Sequence, residues 1–291
     1  KWLCELVANV PYRLALSATP APNSHYEYAT HARFLNRAST VKEYASRFFR
    51  KDGNKWILRG HAEGPFYDNL STWSTYVYSP RALGYEASTE MDTEPDYVYH
   101  RVGIPPQWQS GQRTMFASAS VGKLRPRIYG NLRTLPGPRL DAIAEYAEGK
   151  RCVVWVKRNK EEETIAAMLR SHGATVGVIN GRSPIEERIE TIDAYRNGQI
   201  QHLVSKPSVM GFGVNLPECD HMIYSGFDDS FEQFYQAVRR AHRYGRNGRL
   251  EVMIPYTDPE SPILSNLRRK QDRFKADCIA MQSRFWKRGD G

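Results

Sequence analysis

The second half of the chain alternates short apolar runs with amphipathic segments. The apolar runs predict buried strands at residues 152–156, 175–179, 202–205, 221–224 and 251–254. Apolar residues spaced three and four apart predict intervening helices, which we place at residues 161–172, 183–197 and 230–244. Strands that alternate with helices are typical of a parallel sheet covered on both faces. The pattern therefore predicts an α/β domain over residues 136–258, with ligands at the carboxyl ends of the strands.

The first half has a different pattern. Residues 13–17 predict one strand, and an irregular stretch rich in aromatic residues and turn signals covers residues 36–135. We interpret this stretch as an insertion with a linker, ending in a hinge at residues 135–138. Its aromatic residues fit ordinary core, which we favour, or a stacking platform for single-stranded nucleic acid.

The end of the chain, residues 259–291, predicts a basic helix. Its apolar side would consist of Ile263, Leu264, Leu267, Phe274, Ile279 and Phe285. A helix packed through this side, with its charges in solvent, is the simpler interpretation. Contact with a DNA backbone is the alternative.

Composition narrows the classes of function. The 291 residues are 41% hydrophobic, which indicates a globular protein, and the net charge of +9 favours a polyanionic partner such as nucleic acid. The four cysteines lack the spacing of a zinc site, so we expect reduced thiols. With no signal peptide and no apolar run of membrane-spanning length, we expect a cytoplasmic protein without membrane contact.

The strongest candidate for chemistry lies in the predicted helix at residues 230–244. Gln236, Arg240 and Arg243 would lie near one face of this helix, because side chains three and four positions apart are neighbours. Guanidinium groups suit the charge that develops on a transferring phosphoryl group. The alternative is a solvated basic helix.

Two other motifs follow predicted strands. Ser17 ends the strand predicted at residues 13–17, with Ala18 and Thr19 directly after it, and the Ser17 and Thr19 hydroxyls can each donate and accept a hydrogen bond. The loop after residues 202–205 has glycines that let the backbone approach phosphate, and polar side chains beside them. The candidate residues are Ser205 at the end of the strand and, in the loop, Lys206, Gly211, Gly213 and Asn215.

The order and spacing of these motifs resemble motifs III, V and VI of superfamily 2 helicases, in the Swi/Snf-like branch. The pairing of residues 17–23, Ser-Ala-Thr-Pro-Ala-Pro-Asn, with residues 230–240, Ser-Phe-Glu-Gln-Phe-Tyr-Gln-Ala-Val-Arg-Arg, is similar to the phage and prophage DEAD/DEAH-type helicases. The resemblance covers residues 12–35 and 135–257 well and the residues between them loosely.

The resemblance implies two RecA-like lobes with ATP and Mg²⁺ in the cleft between them. Arg240 and Arg243 would be arginine fingers supported by Gln236. The loop at residues 205–215 would contact nucleic acid and ATP, and Ser17, Ala18 and Thr19 would couple hydrolysis to movement. The expected activity is ATP-dependent translocation on double-stranded DNA, or its unwinding, in a phage-infected or bacterial cell.

The sequence also departs from the family pattern. Residues 1–291 contain no GxxxxGK[ST] loop and no acidic box of the kind that holds Mg²⁺. We expect residues 1–35 to be the end of a first lobe, with the rest supplied in cis or from another chain. The chain alone is then expected not to hydrolyse ATP. The alternative is a non-catalytic nucleic-acid-binding or regulatory module.

A metal site is not expected. A metal-dependent nuclease would need clustered acids and histidines. His25, His31 and His61 do not have ligand spacing.

Overall fold

The structure is a computed structural model in which two compact units are distinguished. It describes residues 2–77, 94–103, 137–210, 213–226, 228–243, 246 and 248–289, with side chains up to residue 284. The first unit consists of Lys1–Glu86 and Arg269–Gly291, and the second of Ala87–Arg268.

The first unit combines helices with one β-hairpin. Its elements are α1 (Trp2–Leu6), α2 (Glu27–Phe34), α3 (Val41–Phe48), β1 (Phe49–Asp52), β2 (Lys55–Leu58), a 3-10 turn (Gly60–Ala62) and α4 (Glu63–Leu70). Aromatic residues dominate its core, and Phe48, Phe49, Phe66 and Tyr67 are all buried. The preference for ordinary core over a stacking platform is confirmed at these four positions.

The strand predicted at residues 13–17 is wrong. This segment is irregular, and the side chains of Leu14 and Leu16 are exposed. Arg13 instead donates hydrogen bonds to the carbonyls of Ala8, Val10 and Phe34. An extended segment becomes a strand only when a neighbouring strand pairs with its backbone, and no described strand does so here.

The second unit is built on a six-stranded parallel sheet with the strand order β3-β8-β7-β4-β6-β5. Its strands are β3 (Asp96–Arg101), β4 (Cys152–Trp155), β5 (Val176–Ile179), β6 (His202–Ser205), β7 (His221–Tyr224) and β8 (Glu251–Tyr256). The central strands β4 and β6 are buried along their whole length, which explains their continuous apolar character. The predicted parallel sheet is confirmed.

Strand β3 is an addition that the sequence pattern did not predict. It lies in the stretch interpreted as an insertion, yet it pairs in parallel with β8 at the sheet edge. Its burial alternates only weakly, because an edge strand keeps one side open to solvent.

Helices connect the strands of the second unit. They are α5 (Gly137–Ala147), α6 (Asn159–Ser171), α7 (Ile185–Arg196), α8 (Pro207–Met210) and α9 (Phe231–Val238). The predicted stop after α7 is confirmed, because Gly198 adopts the left-handed conformation at φ +75°. Helix α7 begins after Pro184, and its Ile185 and Ile189 are exposed rather than buried.

The long helix α10 (Ser261–Gly289) confirms the predicted terminal helix. Ile263, Leu264 and Leu267 are buried, as the predicted apolar side requires. Ile279 is exposed, so the prediction is wrong at that position, and the side chain of Phe285 lies outside the described part.

Candidate functional site

The loops that carry the candidate residues leave the same edge of the sheet. Trp155, the last residue of β4, is in register with Ser205 of β6 and with Tyr224 of β7. All three strands are parallel, so the segments beginning at Val156, Lys206 and Ser225 emerge side by side at their carboxyl ends.

Ser205 ends β6, and Lys206 begins the loop that follows it. Ser205 is buried, and its hydroxyl donates a 2.7 Å hydrogen bond to the Ile179 carbonyl, so this hydroxyl ties β6 to β5. The Lys206 ammonium donates to Asn159 and lies 3.9 Å from a carboxylate oxygen of Glu162. Burial raises the pKa of Glu162, and the lysine charge only partly offsets that effect.

The loop continues through Gly213 and Asn215, whereas Gly211 lies outside the described residues. Gly213 has φ +81°, a left-handed conformation that strains other residues. The Asn215 carbonyl accepts a 2.7 Å hydrogen bond from Arg196. The buried side-chain oxygen of Asn215 has no hydrogen-bond partner within the described ranges. The backbone is therefore anchored while this amide oxygen is left unsatisfied.

Helix α9 is shorter than the predicted helix at residues 230–244. Ser230 caps its beginning by accepting a hydrogen bond from the Gln233 amide, and the helix ends at Val238. The Leu216 amide then donates a 2.8 Å hydrogen bond to the Arg240 carbonyl. The Arg240 carbonyl therefore accepts a hydrogen bond from the loop after β6. Arg240 itself lies in a turn rather than in a helix.

Arg240 is buried where the turn after α9 meets the loop after β6. Its Nε donates to the Gln236 carbonyl at 3.1 Å, and Nη1 lies 3.5 Å from the Val214 carbonyl. Burial lowers the pKa of Arg240, and the charge of Arg243 lowers it further. Carbonyl groups fix the orientation of this guanidinium without neutralising its charge.

The side chains of Gln236 and Arg243 form hydrogen bonds with residues four positions before them. The side-chain amide of Gln236 donates a 3.3 Å hydrogen bond to the Glu232 carboxylate. Gln236 contacts Arg240 through its backbone carbonyl instead. Arg243 is exposed and donates from Nε to the Arg239 carbonyl at 3.0 Å. The structure thus joins Arg240 to the loop after β6 and leaves Arg243 facing solvent.

The residues of the predicted coupling motif lie in the first unit. Ser17 and Ala18 are exposed and Thr19 is buried. The Thr19 amide donates a 3.1 Å hydrogen bond to the Ser17 hydroxyl, which forms a compact local turn.

Sequence patterns missed the residues that fix the loop after β7. The Ser225 carbonyl accepts from Arg139 at 3.3 Å, and its hydroxyl donates to Glu161 at 2.8 Å. Burial raises the pKa of Glu161. Beside this loop, Lys157 forms a 2.7 Å ion pair with Asp228. The only available signal was position, because Lys157 and Ser225 each follow a strand end closely.

Arg246 was equally hidden in the basic run around Arg243. It is buried, and it donates to Asp220 at 2.8 Å and to the carbonyls of Cys219, Gly248 and Arg249. These bonds tie the turn after α9 to the start of β7, so Arg246 has a structural role here.

Within the described ranges, no group of three or more histidine, cysteine, aspartate or glutamate residues could hold a metal ion. None of the helices that the structure describes is both long and apolar enough to cross a membrane.

Comparison with known proteins bears on the part of the chain that contains Arg240. Residues 138–245 match the helicase conserved C-terminal domain. The match runs from α5 through β7 and α9 to the turn containing Arg243. A RecA-like parallel sheet, as found in helicase C-terminal lobes, is therefore the fold of this domain.

Individual relatives are helicases of more than one kind. The human ATP-dependent DNA helicase Q4 is 27% identical over 161 residues, which are 48% of this chain and 13% of the relative. The rice (Oryza sativa subsp. japonica) DEAD-box ATP-dependent RNA helicase 9 is 25% identical over 49% of this chain and 21% of its own length. The chain therefore spans a quarter or less of the length of these two relatives.

A solved structure gives a similar partial match. The C-terminal part of the Fun30 ATPase domain is 20% identical, covers 50% of this chain and 52% of that chain, and has a TM-score of 0.40.

Proposed function

We propose that this chain carries the second RecA-like lobe of an ATP-dependent helicase or translocase that acts on nucleic acid. The supporting observation is Arg240, a buried guanidinium in the matched helicase domain, held by backbone carbonyls of α9 and of the loop after β6. A fixed, desolvated cation of this kind suits a highly charged phosphate group.

In the proposed reaction, water attacks the γ-phosphorus of ATP and the bond to the β,γ-bridging oxygen breaks. Arg240 would stabilise the negative charge on the γ-phosphoryl oxygens during this transfer. Arg243, which is exposed three residues further on, would supply a second cation, and Gln236 would hold the turn through its carbonyl. ATP with Mg²⁺ is the proposed substrate of the complete enzyme, with a first lobe in cis or from another chain.

The loop after β6 would connect the nucleotide site with the nucleic-acid site. Lys206, Gly211, Gly213 and Asn215 would contact the strand or the nucleotide, with Ser205 anchoring the loop. The hydrogen bond between the Leu216 amide and the Arg240 carbonyl links this loop directly to the arginine turn. A displacement of Arg240 on hydrolysis would therefore be transmitted to the loop. Ser17, Ala18 and Thr19 are proposed to couple the same step to the other lobe.

We further propose double-stranded DNA as the substrate, in a bacterial or phage-infected cell. The net charge of +9 supports a polyanionic substrate. The relatives include both a DNA helicase and an RNA helicase.

The test is ATP hydrolysis measured with duplex DNA, single-stranded DNA and duplex RNA. The 291-residue chain would be compared with a form that also includes a first lobe with a phosphate-binding loop. Stimulation by duplex DNA in the two-lobed form is the expected result. Nucleic-acid binding by both forms without turnover in either would contradict it, and would favour a non-catalytic binding module.

A further inference from the structure

The first unit contains a groove that lies outside the matched helicase domain. Its volume is about 710 Å³, and the β1–β2 hairpin forms one of its walls. Its lining includes Tyr26, Lys55, Trp56, Arg59, Arg269 and Arg273, and we call it the hairpin groove.

The hairpin is built so that its second strand faces this groove. Strands β1 and β2 are joined by a two-residue turn in which Gly53 has φ +55°, as the first position of a type II′ turn requires. Lys55, Trp56 and Leu58 then follow in order along the groove wall. The tight turn fixes the register, and Trp56 lies opposite Lys51.

Aromatic surface is the first property of the groove. Trp56 stacks on Tyr26, with ring centroids 5.7 Å apart and ring planes 3° from parallel. Both rings are only half-buried, unlike the fully covered Phe66 of the neighbouring core. A flat aromatic surface held in place from behind suits stacking by another planar ring.

Positive charge is the second property. Lys55, Arg59, Arg269 and Arg273 line the groove, together with a single carboxylate, that of Glu63. The Arg273 guanidinium donates to the carbonyls of Asn23 and Ala21, at 2.8 and 2.9 Å. These carbonyls orient the group but leave its charge available to an anion.

We propose that the hairpin groove binds a segment of single-stranded nucleic acid. A base would stack against Trp56, and the flanking phosphates would lie against Lys55, Arg59 and Arg273. Neither aromatic surface nor cations alone would specify this ligand, but a nucleic-acid strand presents planar rings and phosphates at short intervals. The inference does not depend on ATP hydrolysis, so it stands or falls separately from the proposed function.

The first test measures how tightly the full chain, without ATP, binds a fluorescent oligothymidylate of about 12 nucleotides, a length within the usual site sizes. Fluorescence anisotropy reports the binding at a range of salt concentrations. Trp56→Ala is expected to weaken binding roughly fivefold to a hundredfold, whereas Trp56→Phe keeps a ring and retains most of the affinity. Lys55→Ala is expected to reduce the salt slope by about 0.7. Lys42→Ala, an exposed lysine of α3 outside the groove, is the matched control and should change neither quantity.

A second measurement locates the strand. An oligonucleotide carrying 5-iodouracil should crosslink under ultraviolet light to the peptide that contains Tyr26 or Trp56. Circular dichroism of each variant separates loss of binding from loss of folding.

Three results would overturn the proposal. The first is affinity and salt dependence of the Lys55 and Trp56 variants equal to those of Lys42→Ala. The second is binding of thymidine monophosphate as tightly as of the oligonucleotide, which would indicate a pocket for a single nucleotide. The third is displacement of the strand by polyglutamate at equal charge concentration, which would show that base stacking contributes nothing.

Discussion

The buried ion pair between Arg139 and Glu260 allows a quantitative test of how the site is supported. Arg139 and Glu260 are 3% and 0% exposed, and Arg139 also donates to the Ser225 carbonyl in the loop after β7. The same oxygen of Glu260 accepts from the Thr257 amide at 2.8 Å and from the Thr257 hydroxyl at 2.7 Å. The pair therefore joins the start of α5, the loop after β7 and the start of α10.

Removing one partner leaves the other charge buried without compensation. We expect Arg139→Met and Glu260→Gln each to lower the free energy of unfolding by about 3–5 kcal/mol. The double variant should lose less than the sum, because neither charge remains and the amide introduced by Glu260→Gln still offers an oxygen to Thr257. A coupling energy of at least about 1 kcal/mol is expected for groups in direct contact.

The assay is urea unfolding followed by circular dichroism, with an exposed ion pair of the same unit as control. Arg101 and Asp258 form a 2.6 Å pair with side chains 67% and 61% exposed, so Arg101→Met should leave the free energy of unfolding nearly unchanged. If Arg139→Met costs no more than Arg101→Met, and the two buried substitutions are additive, the reasoning is refuted.

Three smaller predictions concern other positions. Burial lowers the pKa of His202 to about 4, so the unfolded chain binds the proton before the folded chain does as the pH falls. The free energy of unfolding should therefore be highest above about pH 6.5 and should fall by up to about 3 kcal/mol between pH 6.5 and 4. This loss should be absent from the pH dependence of unfolding of His202→Phe. Gly226→Ala should destabilise by about 1–3 kcal/mol in thermal unfolding, because the added methyl would lie 2.5 Å from the Lys157 amide nitrogen, whereas Gly181→Ala meets no atom within 4 Å and should be neutral. Asp277→Ala should lower the melting temperature of the first unit, because its carboxylate accepts from Tyr67 at 2.6 Å, whereas the exposed Asp272→Ala should not.

The sheet of the second unit was predictable because its strands are buried on both faces. Burial of every residue in β4 and β6 forces continuous apolar runs, which are visible in a single sequence. Strand β3 has no such run, because it lies at the sheet edge and gains its place only through pairing with β8. At residues 13–17 the error is the opposite one, because a strand was predicted where none forms. An apolar run does not form a strand without a neighbouring strand to pair with.

The candidate site was predictable in its residue types but not in its geometry. Helical spacing placed Gln236, Arg240 and Arg243 on one face, yet α9 ends at Val238. Beyond Val238 the Arg240 carbonyl accepts a hydrogen bond from the Leu216 amide, a tertiary contact that no local pattern encodes. The support of the Ser225 loop by Arg139 was hidden for the same reason, because the two residues lie 86 positions apart.

The central claim is that Arg240 acts on the γ-phosphate of ATP, and the most direct test is the ATP turnover number of a two-lobed form carrying Arg240→Lys. Lysine keeps the charge but loses the planar fork of the guanidinium. Removal of an arginine finger typically lowers turnover about a thousandfold or more, so we expect a large loss for Arg240→Lys and a still larger one for Arg240→Ala. Arg249→Ala, which removes an exposed arginine paired with Asp96, should leave turnover unchanged. Turnover of the Arg240 variants equal to that of Arg249→Ala would contradict the account.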